Sequence, residues 1–445
     1  MLNRTITIYK KSFSGLSKDI WLLSFVMFIN RSGSMVMPFL SLYFTGVLDE
    51  GGLEMSYFNA GVLMTLFGIG TVGGQWLGGK LTDTFGYYPV QFWTLLVSGF
   101  IYISLIFVQS FELWCVAMVV TGVITDAFRP ANMASIDIYS KPENRTRSLT
   151  LVRLAVNLGF SVGPAVAGII AATLGFNWLF IIDGLTCISA AILFRILLEN
   201  KGIIVKNGSE SKKDIAETNE PITDDIEALK VAKIEASEEK PSMQFGKFDS
   251  PYKDKYFLIF VGLNLFMAIS FLQFVFTLPV YFEQNLEMSK QTIGFLLAMN
   301  GFIIFIIEMP IIYILEQKGH ALKLLTIGLF FFVLAFGFLT FSTWFPLIII
   351  VILLLTIAEI ISFPFATTFA MSRAKAENRG SYMGTFGLSW SVGRVIAPLL
   401  GMQLAEVFGF STMWSIMTGF CAIAMFGMWW LKNKLLVDED KWHKN

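Results

Sequence analysis

Seven charged side chains stand deep inside apolar runs of this chain. They are Arg31 in "FINRSG", Asp126 and Arg129 in "TDAFRP", Asp183 in "LFIIDGLT", Glu308 in "FIIFIIEMP", Glu359 in "TIAEIISFP" and Arg394 in "SVGRVIAP". A charge in such a run is costly, so it faces a cavity, pairs with another charge, or gains and loses a proton. Four carboxylates against three guanidiniums is near balance, which favours internal pairing over a simple ion pore.

Each group admits a functional and a structural reading. Glu359 is either a proton-coupling carboxyl or a paired charge that locks two helices together through Arg394. Asp126 and Arg129 are three residues apart and share one helix face, as a proton gate whose partner changes or as a static pair. Glu308 has no basic residue within a helical turn along its own run. It reads as a protonated, hydrogen-bonded group or as a second proton or cation site. Arg31 contacts an anionic part of a substrate, or it neutralises Asp126 or Glu308. Asp183 reads as a structural polar contact. Asn30, Gln273 and Asn300 are candidate substrate contacts, with core hydrogen bonding as the alternative. The two histidines, His320 and His443, lie outside the apolar runs, so carboxylates must carry any proton.

The elements that position these groups are membrane helices. Of 445 residues 55% are hydrophobic and only 15% charged, against about 25% charged in soluble domains. Runs of about 20 apolar residues, enough to span a bilayer, recur at 21–44, 57–79, 90–109, 112–137, 148–174, 176–197, 255–283, 291–315, 321–342, 345–371, 382–408 and 411–432. The first run is too long for a signal-peptide core and is expected to stay. At 1.5 Å per residue, Arg31, Asp126, Glu359 and Arg394 fall near midplane. One set of loops holds Lys80, Lys141, Arg145, Arg147, Lys318, Lys323, Arg373, Lys375 and Arg379, and the other set holds Lys290 alone. The basic set, both termini and the turn around Asp83 are therefore predicted to be cytoplasmic, in a cell inner membrane. Arg129 and Glu308 then lie in the cytoplasmic half and Asp183 in the outer half. Lys201 to Ser250 is hydrophilic, with eleven acidic and eight basic residues. It reads as a solvated linker, disordered or weakly helical, or as a regulatory segment. The expected division is 1–197, a linker at 198–254, 255–432, and a tail at 433–445.

The two sets of six helices repeat. Arg145 in "KPENRTR" and Arg379 in "KAENRGS" are 234 residues apart; Gly163 and Gly393 are 230 apart, Tyr43 and Tyr281 238, Asp83 and Glu316 233. Asp126 aligns within one residue of Glu359, Pro130 with Pro364, and Glu308 with Gln75. Two parallel six-helix bundles with a site between them are an architecture of secondary transporters.

At this point the chain resembles a known family. "GKLTDTFG" carries Gly79, Leu81, Asp83 and Gly86 in the pattern G-x-L-x-D-x-x-G of the major facilitator superfamily, with Tyr87 and Tyr88 where a basic pair is usual. "AEIISFP" around Glu359 is similar to G-E-[IL]-x-x-x-P of proton-coupled members, both peptide symporters and multidrug antiporters. Gly159, Gly163, Pro164 and Gly168 partly match the glycine–proline motif of the drug–proton antiporters, with Leu151 and Ala167 in place of two glycines. Met118 stands where those proteins carry an arginine. The resemblance implies an all-α membrane protein of twelve helices in two pseudo-symmetric bundles and a gate at Asp83, with Arg379 as a possible partner. It also implies proton-coupled export of an apolar or amphipathic small molecule by alternating access. Proton-coupled import of a peptide or sugar, or a membrane sensor built on the linker, are the alternatives; the first helix lacks the E-x-x-E-R stretch of peptide symporters.

The expected partners are a small-molecule substrate, protons and the lipid bilayer, and the chain is expected to act as a monomer. Zero net charge argues against nucleic acid. No phosphate-binding loop, nucleophile elbow or His/Cys cluster is present, so neither an enzyme nor a cofactor is expected. Cys115, Cys187 and Cys421 lie in apolar runs with no redox spacing.

Overall fold

The computed structural model describes residues 15–141, 145–201, 248–316, 320–341, 344–375 and 378–442. Most of the predicted linker, the side chains of Arg145 and Arg379, and His443 lie outside the described residues. Helices account for nearly all of the described chain. They are α1 (Lys18–Thr45), α2 (Tyr57–Phe85), α3 (Tyr87–Phe107), α4 (Phe111–Tyr139), α5 (Arg145–Thr173), α6 (Asn177–Leu197), α7 (Lys255–Phe276, continued by Leu278–Gln284), α8 (Lys290–Glu316), α9 (Ala321–Phe341) and α10 (Phe345–Ser372). The last stretch, Arg379–Trp442, turns sharply at Gly409, which divides α11 from α12. Twelve spans result among the described residues.

The internal repeat is visible in the backbone. Gly175 (φ 89°) and Gly409 (φ 81°) both adopt the left-handed conformation that favours glycine, and each turns the fifth helix of a half into the sixth. The repeated tyrosines sit in matching aromatic nests. Tyr43 lies 5.5 and 5.2 Å from Phe176 and Phe180, and Tyr281 lies 5.2 and 5.5 Å from Phe410 and Trp414. Edge-on contacts of this kind add to burial. At the other end, each half nails its entering segment to the end of its fourth helix. Ser17 caps α1 and donates to the Tyr139 carbonyl at 2.6 Å; Asp254 caps α7 and binds Arg373 at 2.6–2.9 Å.

The side holding Gly86, Tyr139, Leu198 and Asp254 is called the linker side below. The halves meet along two seams that lie away from it. In the first, α2 packs on α11: Thr65 donates to the Val395 carbonyl at 2.9 Å, Phe58 N–H donates to Glu406, and a Cβ on Gly68 would lie 2.6 Å from the Arg394 carbonyl oxygen. In the second, α5 packs on α8, where Gly168 and Gly294 let the two backbones touch, the use of small residues common between membrane helices. Nothing lies within 4 Å of a Cβ built at Gly79, Gly380, Gly384 or Gly387. The α2–α11 and α5–α8 contacts at Phe58, Thr65 and Gly168 close the side opposite the linker.

Two expectations need correction here. The turn expected at Gly79–Gly86 is mostly helix: α2 runs to Phe85, stabilised by Thr82 donating back to the Gly78 carbonyl at 2.7 Å, and Gly86 (φ 89°) alone makes the turn. Helix 1 is not continuous either. It breaks at Gly33–Met35, between Ser32 and Val36.

Candidate functional site

Asp126, halfway along α4, is held from both halves. Its Oδ2 accepts from Gln75 of α2 at 2.9 Å and from Arg394 of α11 at 2.9 Å. Arg129 Nε lies 3.6 Å from Oδ1, and Arg394 also reaches Thr71 at 3.4 Å. The expected lock between Arg394 and Glu359 is not formed. Arg394 faces α2 and α4 because Gly68 lets the α11 backbone approach there, which brings the guanidinium to Asp126 instead.

Glu308 of α8 is almost fully buried (3% exposed) and forms an ion pair with Arg153 of α5, with Asn157 Nδ2 at 3.4 Å. This is the second carboxylate–guanidinium pair between the halves, and it makes Arg153, not Arg31, the cation that neutralises Glu308. Its cation comes from a neighbouring helix, which a search along its own helix does not reach. Arg153 stands eight residues into α5 and was not singled out in the sequence. Asn157, one helical turn on, faces the same carboxylate, and that i, i+4 spacing was the available signal.

Glu359 of α10 has a different environment. Its Oε2 accepts from Asn300 Nδ2 at 3.3 Å, and Asn300 also donates to Thr356 at 3.0 Å; among the described residues no guanidinium reaches Glu359. It lines a cavity of about 460 Å³ with Arg153, Asn157, Ile304, Glu308, Phe363, Pro364 and Thr367. The lining comes from α5 of one half and α8 and α10 of the other.

Asp183 lies at the break in α1. Its Oδ2 accepts from the Val36 N–H at 3.2 Å, so it caps the second segment of α1. Asn30 donates to Cys187 Sγ at 3.4 Å. Arg31 makes no ion pair among the described residues, and its buried Nε has no hydrogen-bond partner. A small pocket of about 50 Å³ beside it is lined by Ser98, Tyr102, Thr125 and Asp183.

The remaining candidates are dispersed. Gln273 is fully buried, donates to the Ala397 carbonyl at 2.9 Å and accepts from Thr277 at 2.5 Å; it ties α7 to α11 away from the cavity. Asp83 is exposed and forms no ion pair among the described residues. Gly159 and Gly163 face the backbone of α1 at its break, Gly168 faces α8, and the Pro164 carbonyl meets Gly294. The motif thus holds α5 between its own bundle and the other. Tyr87 and Tyr88 point inward. Tyr88 Oη donates to the Leu198 carbonyl at 2.9 Å, the Lys201 N–H donates to Tyr87 Oη at 3.2 Å, and Tyr139 Oη donates to the Glu199 carbonyl at 2.8 Å.

Two six-helix bundles with ion pairs and a cavity between them define a secondary-transporter architecture. The sequence agrees: the family model described as Major Facilitator Superfamily matches residues 20–398 and 263–444, and the chain belongs to that family. A Na(+), Li(+), K(+)/H(+) antiporter of Planococcus maritimus is 23% identical over 426 residues, covering 91% of this chain and 93% of that protein. The class H tetracycline resistance protein of Pasteurella multocida is 21% identical over 201 residues, 44% of this chain and 49% of that protein. Among solved structures, a POT family transporter bound to a thioalcohol-conjugated peptide superposes with a TM-score of 0.74 at 13% identity, covering 95% of this chain and 98% of that one. The protein is a multi-pass membrane transporter and not an enzyme.

Proposed function

We propose that the protein is a proton-coupled antiporter that exports an apolar or amphipathic small organic molecule by alternating access. The observation that carries this reading is Glu359. Among the intramembrane carboxyls it is the one held by neither a guanidinium nor a backbone N–H among the described residues, and it lines the 460 Å³ cavity between the halves. A carboxyl so placed binds either a proton or the polar end of a cargo, and Phe363, Ile304 and Pro364 take the apolar part. Asp126 and Glu308 are the further proton-linked groups, with their pairing to Arg394, Arg129 and Arg153 remade as the halves move. One charge moved across 100 mV is worth about 2.3 kcal/mol, enough for one or two protons to drive accumulation.

In this reading the linker side is cytoplasmic, as the loop lysines and arginines require, and the structure is inward-facing. The halves are 1–197 and 255–432, joined by 198–254, with a tail at 433–445. The transporter acts as a monomer in the plasma membrane and needs no resident cofactor.

A second reading is supported by the antiporter relative that matches along 91% of the chain: the same carboxylates exchange an alkali cation for protons. Proteoliposomes with an acidic interior separate the cases. Ethidium uptake, lost at least tenfold in Glu359→Gln, is the expected result; uptake of sodium alone favours the second reading, and export of cargo with the proton flow indicates symport. Undiminished uptake by Glu359→Gln refutes the coupling role.

A further inference from the structure

We infer that Arg31 is a reserve counter-ion for Asp126, taking the place of Arg394 when the opposite side opens. The inference deepens the alternating-access reading above and rests on it.

Asp126 shares its two oxygens unequally. Oδ1 faces Arg129 on its own helix at 3.6 Å, whereas Oδ2 takes its guanidinium from the other half, Arg394 at 2.9 Å. Arg394 stands at the inner end of the α2–α11 seam, which runs from Phe58 and Glu406 through Thr65 and Val395 to Gly68 and the Arg394 carbonyl. Opening the opposite side parts this seam, and Arg394 leaves with α11. Asp126 stays with α2 and α4, keeping Gln75 and Arg129 and losing its cross-half cation.

Among the described intramembrane arginines, Arg129, Arg153 and Arg394 each pair with a carboxylate and Arg31 does not. It lies in the same half as Asp126, on the segment of α1 just before the helix break, with its Nε buried and unpartnered. Its other acidic neighbour, Asp183, is engaged by the Val36 N–H at 3.2 Å. Thr125 and Phe128, which flank Asp126 in α4, line the pocket of about 50 Å³ beside Arg31, so the side chain has space to swing toward that helix.

The test reads conformation and does not depend on proton coupling. On a cysteine-free background, Thr65→Cys reports parting of the α2–α11 seam through its rate of alkylation by a membrane-impermeant maleimide. Arg31→Gln is expected to lower that rate about tenfold, a shift of about 1.4 kcal/mol in the opening equilibrium. Arg31→Lys restores much of it, and the double variant Arg31→Gln/Asp126→Asn restores it fully because no charge is left to compensate. An unchanged rate in Arg31→Gln, or no recovery in the double variant although it elutes as a folded monodisperse protein, overturns the inference. Should Arg31→Gln fail to fold, Arg31→Lys against Arg31→Lys/Asp126→Asn makes the same comparison. If Glu359→Gln keeps its pH-driven uptake, the coupling assignment falls while this labelling result stands.

Discussion

Removing the Asp254 carboxylate should destabilise the protein far more than its repeat counterpart does. Asp254 is fully buried and Arg373 is 3% exposed. The carboxylate accepts Arg373 Nε at 2.9 Å and Nη2 at 2.6–2.7 Å, Tyr382 Oη at 3.3 Å, and the Phe257 N–H at 3.1 Å as the cap of α7. Asp254→Ala loses the cap, about 1 kcal/mol, and takes from the buried Arg373 the carboxylate that accepts three of its contacts, a broken buried pair worth about 3–5 kcal/mol. The total is about 4–6 kcal/mol. For a cooperative unit the size of one half, each kcal/mol moves the midpoint by about 2–4 °C, which gives a drop of about 8–24 °C. Ser17→Ala removes the equivalent cap in the first half, where the partner is the neutral Tyr139 carbonyl at 2.6 Å, and should cost about 2–4 °C.

Apparent midpoints in detergent at one fixed scan rate provide the comparison, since membrane proteins unfold irreversibly. The double variant Asp254→Ala/Arg373→Met supplies the sign check, because replacing both partners by apolar groups is often close to neutral. It should be more stable than Asp254→Ala alone. Equal midpoint drops for Asp254→Ala and Ser17→Ala, or a double variant less stable than the single, would refute the reasoning.

Two adjacent glycines should behave oppositely. Gly78→Ala places a Cβ 2.2 Å from the Ala127 carbonyl oxygen, forcing α2 from α4, and should cost more than about 3 kcal/mol; Gly79→Ala meets nothing within 4 Å and should leave the thermal midpoint unchanged or raise it slightly. Tyr88→Phe removes the bond to the Leu198 carbonyl and should lower stability by about 1 kcal/mol, with transport rates in proteoliposomes unaltered.

The twelve spans and the repeat were legible because each is written in a long-range pattern: runs of about 20 apolar residues, and echoes such as Tyr43 with Tyr281 that later proved to occupy matching aromatic nests. Break points were less legible. The gap at Gly33–Met35 leaves hydropathy nearly untouched, and its cap, Asp183, is distant in sequence. Charge pairing was the least legible feature. Glu308 and Asp126 were recognisable as buried acids from their own neighbourhoods. Their partners Arg153 and Arg394 come from the opposite half, and two helices of different halves share no sequence periodicity that fixes their register. Asp254 and Arg373 were missed for a related reason: each lies at a span boundary, where a charge ordinarily meets water.

The tyrosine pair at 87–88 shows what happens when a motif departs from its family. The resemblance leads one to expect basic side chains there, available to a latch between the halves. Tyr87 and Tyr88 are instead buried (1% and 8% exposed), packed on Tyr139 at 5.6 Å and Phe194 at 4.9 Å. Their hydroxyls engage the chain where it leaves α6, at Leu198 and Lys201, and Lys201 in turn binds Asp19 at 2.5 Å. The second half solves the same problem with ions, through Asp254 with Arg373 and the exposed Asp249, whose carboxylate Lys375 holds below its ordinary range. Both roots of the linker are thus fixed to the ends of their own bundles, away from the cavity. The turn keeps the helix-ending glycine of the motif and gives up the charges beyond it, so its contacts now hold a bundle together, while Asp83 stays exposed on the last turn of α2.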